Sequence, residues 1–193
     1  MRPILAKLVM ILFSFITVSA RAEIIHVRDY VEPKVMPKPS ADYDPRRLPE
    51  YSSAAIEHDA WVRAWLLLDV DAKGTVLRFK FLRKPGYDLA PIAASEAWKL
   101  SFEPARDNRD KPIGTLVVWS IEWPSYWWLS DLYGSTLRLP MRWNMDLMSP
   151  MSDVPCAGDG PLNLGSQHPV YRDCAGPNMS LVNTAPWITR PGS

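Results

Sequence analysis

The residues able to do chemistry are few and scattered. The histidines are His26, His58 and His168, one in each region of the chain. Only His58 has companions: Asp59 follows it and Ser52 and Ser53 precede it, so the members of a Ser–His–Asp set are present. Their spacing argues against such use. Neighbours on an extended strand point to opposite faces, and no Gly-x-Ser-x-Gly elbow presents a nucleophile. Asp69-Val70-Asp71 with Gly74 begins like a calcium loop, but the later oxygen ligands and the closing glutamate are missing, so a hairpin turn is the better reading. Cys156 and Cys174 are the only cysteines, and no histidine stands at finger-like spacing from both. The expectation is a protein without catalysis, metal or cofactor.

Composition narrows the class further. The 193 residues hold 47% hydrophobic and 22% charged residues, ordinary for a globular domain, but also 19 prolines and 9 tryptophans. So much proline predicts several irregular segments around a core shorter than the chain. Residues 1–22 have the pattern of a secretory signal: Arg2 and Lys7, an apolar run from Leu8 to Val18, then the small-residue sites Val18-Ser19-Ala20 and Ala20-Arg21-Ala22. The apolar run falls short of the ~20 residues a spanning helix needs, so cleavage is favoured over anchoring. Losing Arg2, Lys7 and Arg21 leaves 19 basic residues against 21 acidic, a formal charge of −2 that excludes a phosphate-binding footprint and hence nucleic acid. In an exported chain, Cys156 and Cys174 are expected to form a disulfide.

The elements that must position any site are legible in order. Residues 23–48, with Pro33, Pro37, Pro39 and Pro45, read as an extended proline-rich linker. A folded unit spans 49–124. Ser53 to His58 suits a short helical turn, and Trp61 to Asp71 a strand with Val62, Ala64, Leu66, Leu68 and Val70 on one face. Asp71-Ala72-Lys73-Gly74 supplies the turn. Thr75 to Arg83 returns as a strand with Leu77, Phe79 and Phe81 on one side and Arg78 and Lys80 on the other. A helix follows from Leu89, with Asp88 as its N-cap and Pro91 in its first turn, ending near Ser101 because Glu103 precedes Pro104. Ile113 to Trp123 forms the last strand. The predicted class is α+β: a small antiparallel sheet in ββαβ order with one covering helix. Beyond it, residues 125–193 read as an irregular Trp- and Pro-rich extension stapled by the disulfide.

The run Ser101-Phe102-Glu103-Pro104-Ala105-Arg106, set between that helix and the last strand, resembles the C-terminal domain of TonB-type energy transducers. The likeness extends to the Asp71-x-x-Gly74 turn, to Leu89 and Ala93 on the helix, to Phe102, Pro104, Ala105 and Arg106 at the corner, and to Lys111-Pro112 before the last strand. Departures are Ala90 in place of the usual Asp, Leu100 in place of the usual Trp, a displaced Pro49-Glu50-Tyr51, and Ala60-Trp61-Val62 for the usual Gly-x-Val opening. The resemblance implies a periplasmic protein-binding module that accepts a partner peptide as an added strand. The docking edge would be the last strand, through Ile113, Thr115, Val117, Trp119 and Ile121. The partner implied is the N-terminal peptide of an outer-membrane transporter or another envelope protein.

A cleavable signal and a short linker do not suit coupling to an inner-membrane motor, so a membrane-anchored transducer for transport is the second expectation. A third comes from the tail. Tyr126-Trp127-Trp128, Trp143 and Trp187 either extend the core or form a carbohydrate or peptide platform for a structural envelope protein.

Overall fold

The computed structural model describes residues 30–44, 47–127, 129 and 173–190. The signal at 1–22, His26, His168, Cys156, Trp128 and Trp143 lie outside the described residues. The described elements are β1 (Lys38–Pro39), α1 (Ser53–Glu57), β2 (Val62–Val70), β3 (Val76–Arg83), α2 (Ala90–Lys99), β4 (Phe102–Glu103), β5 (Ala105–Arg106), β6 (Pro112–Ile113), β7 (Thr115–Trp123), a 3-10 turn (Met179–Val182) and β8 (Ile188–Thr189). This is an α+β chain whose strands all pair antiparallel. The main sheet runs β7-β2-β3-β8, with two-stranded pairs β1-β4 and β5-β6 beside it.

One face of the sheet packs on α2. Ala64, Leu66, Leu68 and Val70 of β2 meet Phe79 and Phe81 of β3, Val117, Trp119, Ile121 and Trp123 of β7, and Leu89, Ala93 and Ala97 of the helix region. Alternation put these residues on one side, as the period of two requires. The helix begins one residue later than predicted. Tyr87 and Asp88 both take left-handed backbone (φ 53° and 56°), so Asp88 cannot cap; Leu89 holds the N-cap position with no side-chain hydrogen bond. Ser52 caps α1, accepting from the Ala55 amide at 3.0 Å.

Leu77 departs from the predicted face. Asp69 pairs with Arg78 and Val70 with Val76, so Leu77 is the extra residue of a β-bulge; Val76 turns into the core and Leu77 is half exposed. A second register shift between Trp65 and Leu66 leaves Leu82 unpaired, and its fully buried side chain packs on the reverse face with Trp65 and Leu67.

The corner locks the hairpin turn. The Phe102 amide donates to the Gly74 carbonyl at 2.9 Å, and a Cβ on Gly74 (φ 83°) would sit 1.7 Å from the Phe102 carbonyl oxygen. Asp71 closes that turn from within, its Oδ1 accepting from the Lys73 and Thr75 amides.

The stretch read as a linker is partly folded onto the domain. Lys38–Pro39 pairs with Phe102–Glu103, Val35 bridges Arg106, and Tyr43 meets the edge of the Trp119 ring. Proline forbids helix but suits these short edge pairings, in which one flank of the chain faces solvent.

Candidate functional site

Sequence reasoning named the last strand, and the structure puts β7 at the margin of the sheet. It pairs with β2 over its whole length, from Val70↔Thr115 to Val62↔Trp123. Among the described residues no strand pairs with its outer side. Thr115, Trp119 and Ile121 are buried, Val117 half-buried, all four on the side of the core under α2. Ile113 is separated from them: it belongs to β6 and pairs with Ala105. The break falls at Gly114, where an added Cβ would press within 3.2 Å of the Val70 carbonyl oxygen. From Thr115 to Ile121 the edge holds neither charge nor proline. Such residues are the usual guards of an open edge.

The motif residues prove to be supports. Leu89, Ala93 and Phe102 are core members, Ala105 is buried, and Pro104 is half-buried between them and Arg106. The Phe102 ring meets Trp119 edge-on at 5.5 Å. Arg106 Nη1 donates to the Asp110 carbonyl at 2.8 Å, while its own carbonyl accepts from the Lys34 and Val35 amides. Thus the corner positions β7 from below and anchors residues 34–39 beside it.

The reverse face of the sheet was not anticipated. Glu122 accepts from Trp61 Nε1 at 2.9 Å and from Arg63 Nη2 at 2.8 Å, all three residues buried. Asp69 accepts from Arg78 Nε at 2.7 Å. Tyr30 lies against this pair; burial first, then its hydrogen bond to Asp69, pushes its hydroxyl up to about 12. Lys80 is buried and donates to the Val182 carbonyl at 2.9 Å; burial and then the charge of Arg78 hold its pKa below the usual lysine value. Trp187 lies under both cations, 4.5 Å from the Arg78 guanidinium carbon and 4.2 Å from Lys80 Nζ. Arg78 and Lys80 alternating with apolar residues resemble a solvated face. The one signal against that was Asp69, a carboxylate in the middle of a strand with no solvated neighbours.

Residues 173–190 cover this face. The Asp173 amide donates to the Trp61 carbonyl, Trp65 Nε1 to the Ala175 carbonyl, and the Asn178 amide to the Leu82 carbonyl. Asp173 pairs with Arg83 at 3.1 Å, and β8 adds to β3 through Arg78↔Thr189 and Phe79↔Ile188. Trp187, one of the aromatics that offered a platform, is therefore engaged against the sheet. Cys174 is in the disulfide state rather than a free thiol; its expected partner Cys156 lies outside the described residues.

The other candidates do not assemble. His58 is exposed and meets the Tyr87 ring at a 45° tilt; Ser52 Oγ is committed to the α1 cap and donates to the Tyr87 carbonyl; Asp59 accepts from Ser125 Oγ at 2.6 Å. Among the described residues no three His, Cys, Asp or Glu side chains gather to hold a metal ion, and no helix is long and apolar enough to cross a membrane. A cavity of about 150 Å³ opens between residues 40–44 and the end of α2, lined by Tyr43, Asp44, Glu96 and Lys99 among others. Burial, then the charges of Asp44 and Glu96, raise the pKa of Tyr43.

Comparison with protein-family models, with curated proteins and with solved structures finds no match.

Proposed function

We propose that this chain is an exported, periplasmic, non-catalytic binding module of the TonB C-terminal type, which takes an extended partner peptide as an added strand along the outer side of β7. One observation carries the reading: β7 is 9 residues long, pairs with β2 throughout, and has no strand on its other side among the described residues. Every second amide and carbonyl of β7 then faces away from β2, and outward-facing backbone groups are the template for strand addition. The partner is an envelope protein, in the first instance the N-terminal peptide of an outer-membrane transporter. The disulfide Cys156–Cys174, stapling the extension, belongs to the same reading.

The test exploits strand alternation. Of Val117→Pro and Val118→Pro, one removes an amide facing β2 and disrupts the fold, and the other removes an amide facing outward. The outward variant should keep the native circular dichroism spectrum and lose partner pull-down; unchanged pull-down by that variant refutes docking at this edge. N-terminal sequencing of the native protein after fractionation separates an exported module from an anchored transducer.

A further inference from the structure

The strand β3 has an outer side too, and there the sheet is closed by its own chain. The closure is slight for the face it covers. Beneath it, Trp65, Leu67, Asp69, Lys80 and Leu82 are all at least 94% buried. Yet no residue from 173 to 190 is itself buried; each is half-buried or exposed. Of the 8 residues in β3, β8 pairs with two, Arg78 and Phe79. Leu181, Val182, Trp187 and Ile188 pack on the sheet as partly buried side chains, and among the described residues polar contacts join Asn178 to the Leu82 carbonyl, Lys80 to the Val182 carbonyl, Arg190 to the Trp98 carbonyl at 2.6 Å, and Arg83 to Asp173, whose side chains are 38% and 30% exposed. A segment whose own side chains are only partly buried opens at lower free energy than the core it rests on.

We propose that residues 178–190 are a releasable strap, and that the outer side of β3 beneath it is a second strand-accepting site for an extended peptide bearing an aromatic residue. The strap displays the chemistry the site selects. It pairs antiparallel at Arg78 and Phe79, and one ring, Trp187, lies against both Arg78 and Lys80. A cation over an indole face is favourable, more so when desolvated. Two cations facing the single carboxylate of Asp69 repel a basic competitor, and an electron-rich ring satisfies them without adding charge. The end nearer Asp173 stays fixed, because Asp173 and Ala175 hold Trp61, Trp65 and Arg83 and Cys174 is in a disulfide. Opening therefore proceeds from Arg190 towards Asn178. This site is independent of the reading for β7: the two lie on opposite margins of the sheet, with β2 and β3 between.

The experiment uses the full chain and a fluorescent synthetic peptide of residues 178–190. In hydrogen exchange on the native protein, the amides of residues 178–190 and the outward amides of β3 should exchange faster than those of Leu66 to Leu68. Trp187→Ala should speed that exchange further while leaving β2 protected. The peptide should bind this variant at least about tenfold more tightly than the native chain, a difference of about 1.4 kcal/mol. It should protect β3 and not β7, and a peptide with alanine at the Trp187 position should not bind. Arg190→Ala, which removes the contact with the Trp98 carbonyl at the end where opening starts, supplies a second loosened variant should the first fail to fold. Residues 178–190 exchanging only with β2, in a single global opening, would make the segment a fixed layer and overturn the proposal. Equal peptide binding to native and loosened chains would do the same. Protection at β7 in place of β3 would assign the peptide to the other margin and refute this site alone.

Discussion

Under α2 the sheet presents Leu66, Leu68, Phe79 and Trp123, none with accessible surface, against a helix that contributes Ala93 and Ala97. On the reverse it presents Arg63, Asp69, Arg78, Lys80 and Glu122 among Trp65, Leu67 and Leu82, against a segment with no buried residue. The first face needs no particular partner atom, because apolar burial is non-directional and scales with area. The second depends on named partners, since a charge out of water is tolerated only when paired and hydrogen-bonded. A face of that kind specifies what lies on it. It also tolerates removal of its cover better, because lysine and arginine can be rehydrated while exposed leucine and phenylalanine cannot.

The contrast can be broken by experiment. Phe79→Ala, at a residue without accessible surface and ringed by Phe81 and Trp98, should destabilise the whole chain by about 4 kcal/mol in urea unfolding. Glu122→Ala removes the buried carboxylate that accepts from Arg63 and Trp61 and should lower stability by about 3 kcal/mol. If the reverse face is held by pairing, the double change Arg63→Met with Glu122→Leu should recover most of that loss; no recovery would mean that the charges themselves are needed.

Alkaline titration separates the faces more gently. Tyr43 and Tyr51 under α2 and Tyr30 on the reverse all have raised pKa values, chiefly through burial, Tyr30 to about 12. Each keeps its proton in the folded chain after the unfolded chain has lost it, so their stabilisation is intact below pH ~10 and falls as pH rises beyond it. Lys80 acts in the opposite sense, its burdened charge being relieved as pH rises towards the unfolded lysine value. Tyr51→Phe should therefore flatten the fall in urea midpoint between pH 9 and 11, and an unaltered slope would discount Tyr51. The smallest effect belongs to Arg83→Ala, an exposed pair with Asp173 contributing under ~1 kcal/mol to global stability; its signature is faster local exchange in residues 173–175.

Much of the first face was legible from the chain alone. The period-two pattern of β2 and the Asp71–Gly74 turn rest on local rules and appear where those rules put them, and the helix around Ala93 starts one residue late. The failures share a cause in contacts between distant residues. Leu77 left its face because pairing with β2 inserted a bulge, and Ile113 left its strand because Ala105 captured it across the Asp107 turn. Residues 34–39 left the linker because Arg106 and Phe102 offered them backbone partners. The reverse face was hidden most thoroughly. Arg78 and Lys80 give no hint of Trp187, which lies more than a hundred positions away, and alternating charge ordinarily means water.

The contact between Gly74 and Phe102 has a genetic consequence. The obstacle to any side chain at Gly74 is the main-chain oxygen of Phe102, so it does not depend on which residue occupies that place. A defect caused by Gly74→Ala therefore cannot be suppressed by trimming Phe102 to a smaller residue. A selection for revertants should return glycine at position 74, or changes that shift the whole corner from Ser101 to Arg106, and never a compensating substitution at position 102 alone.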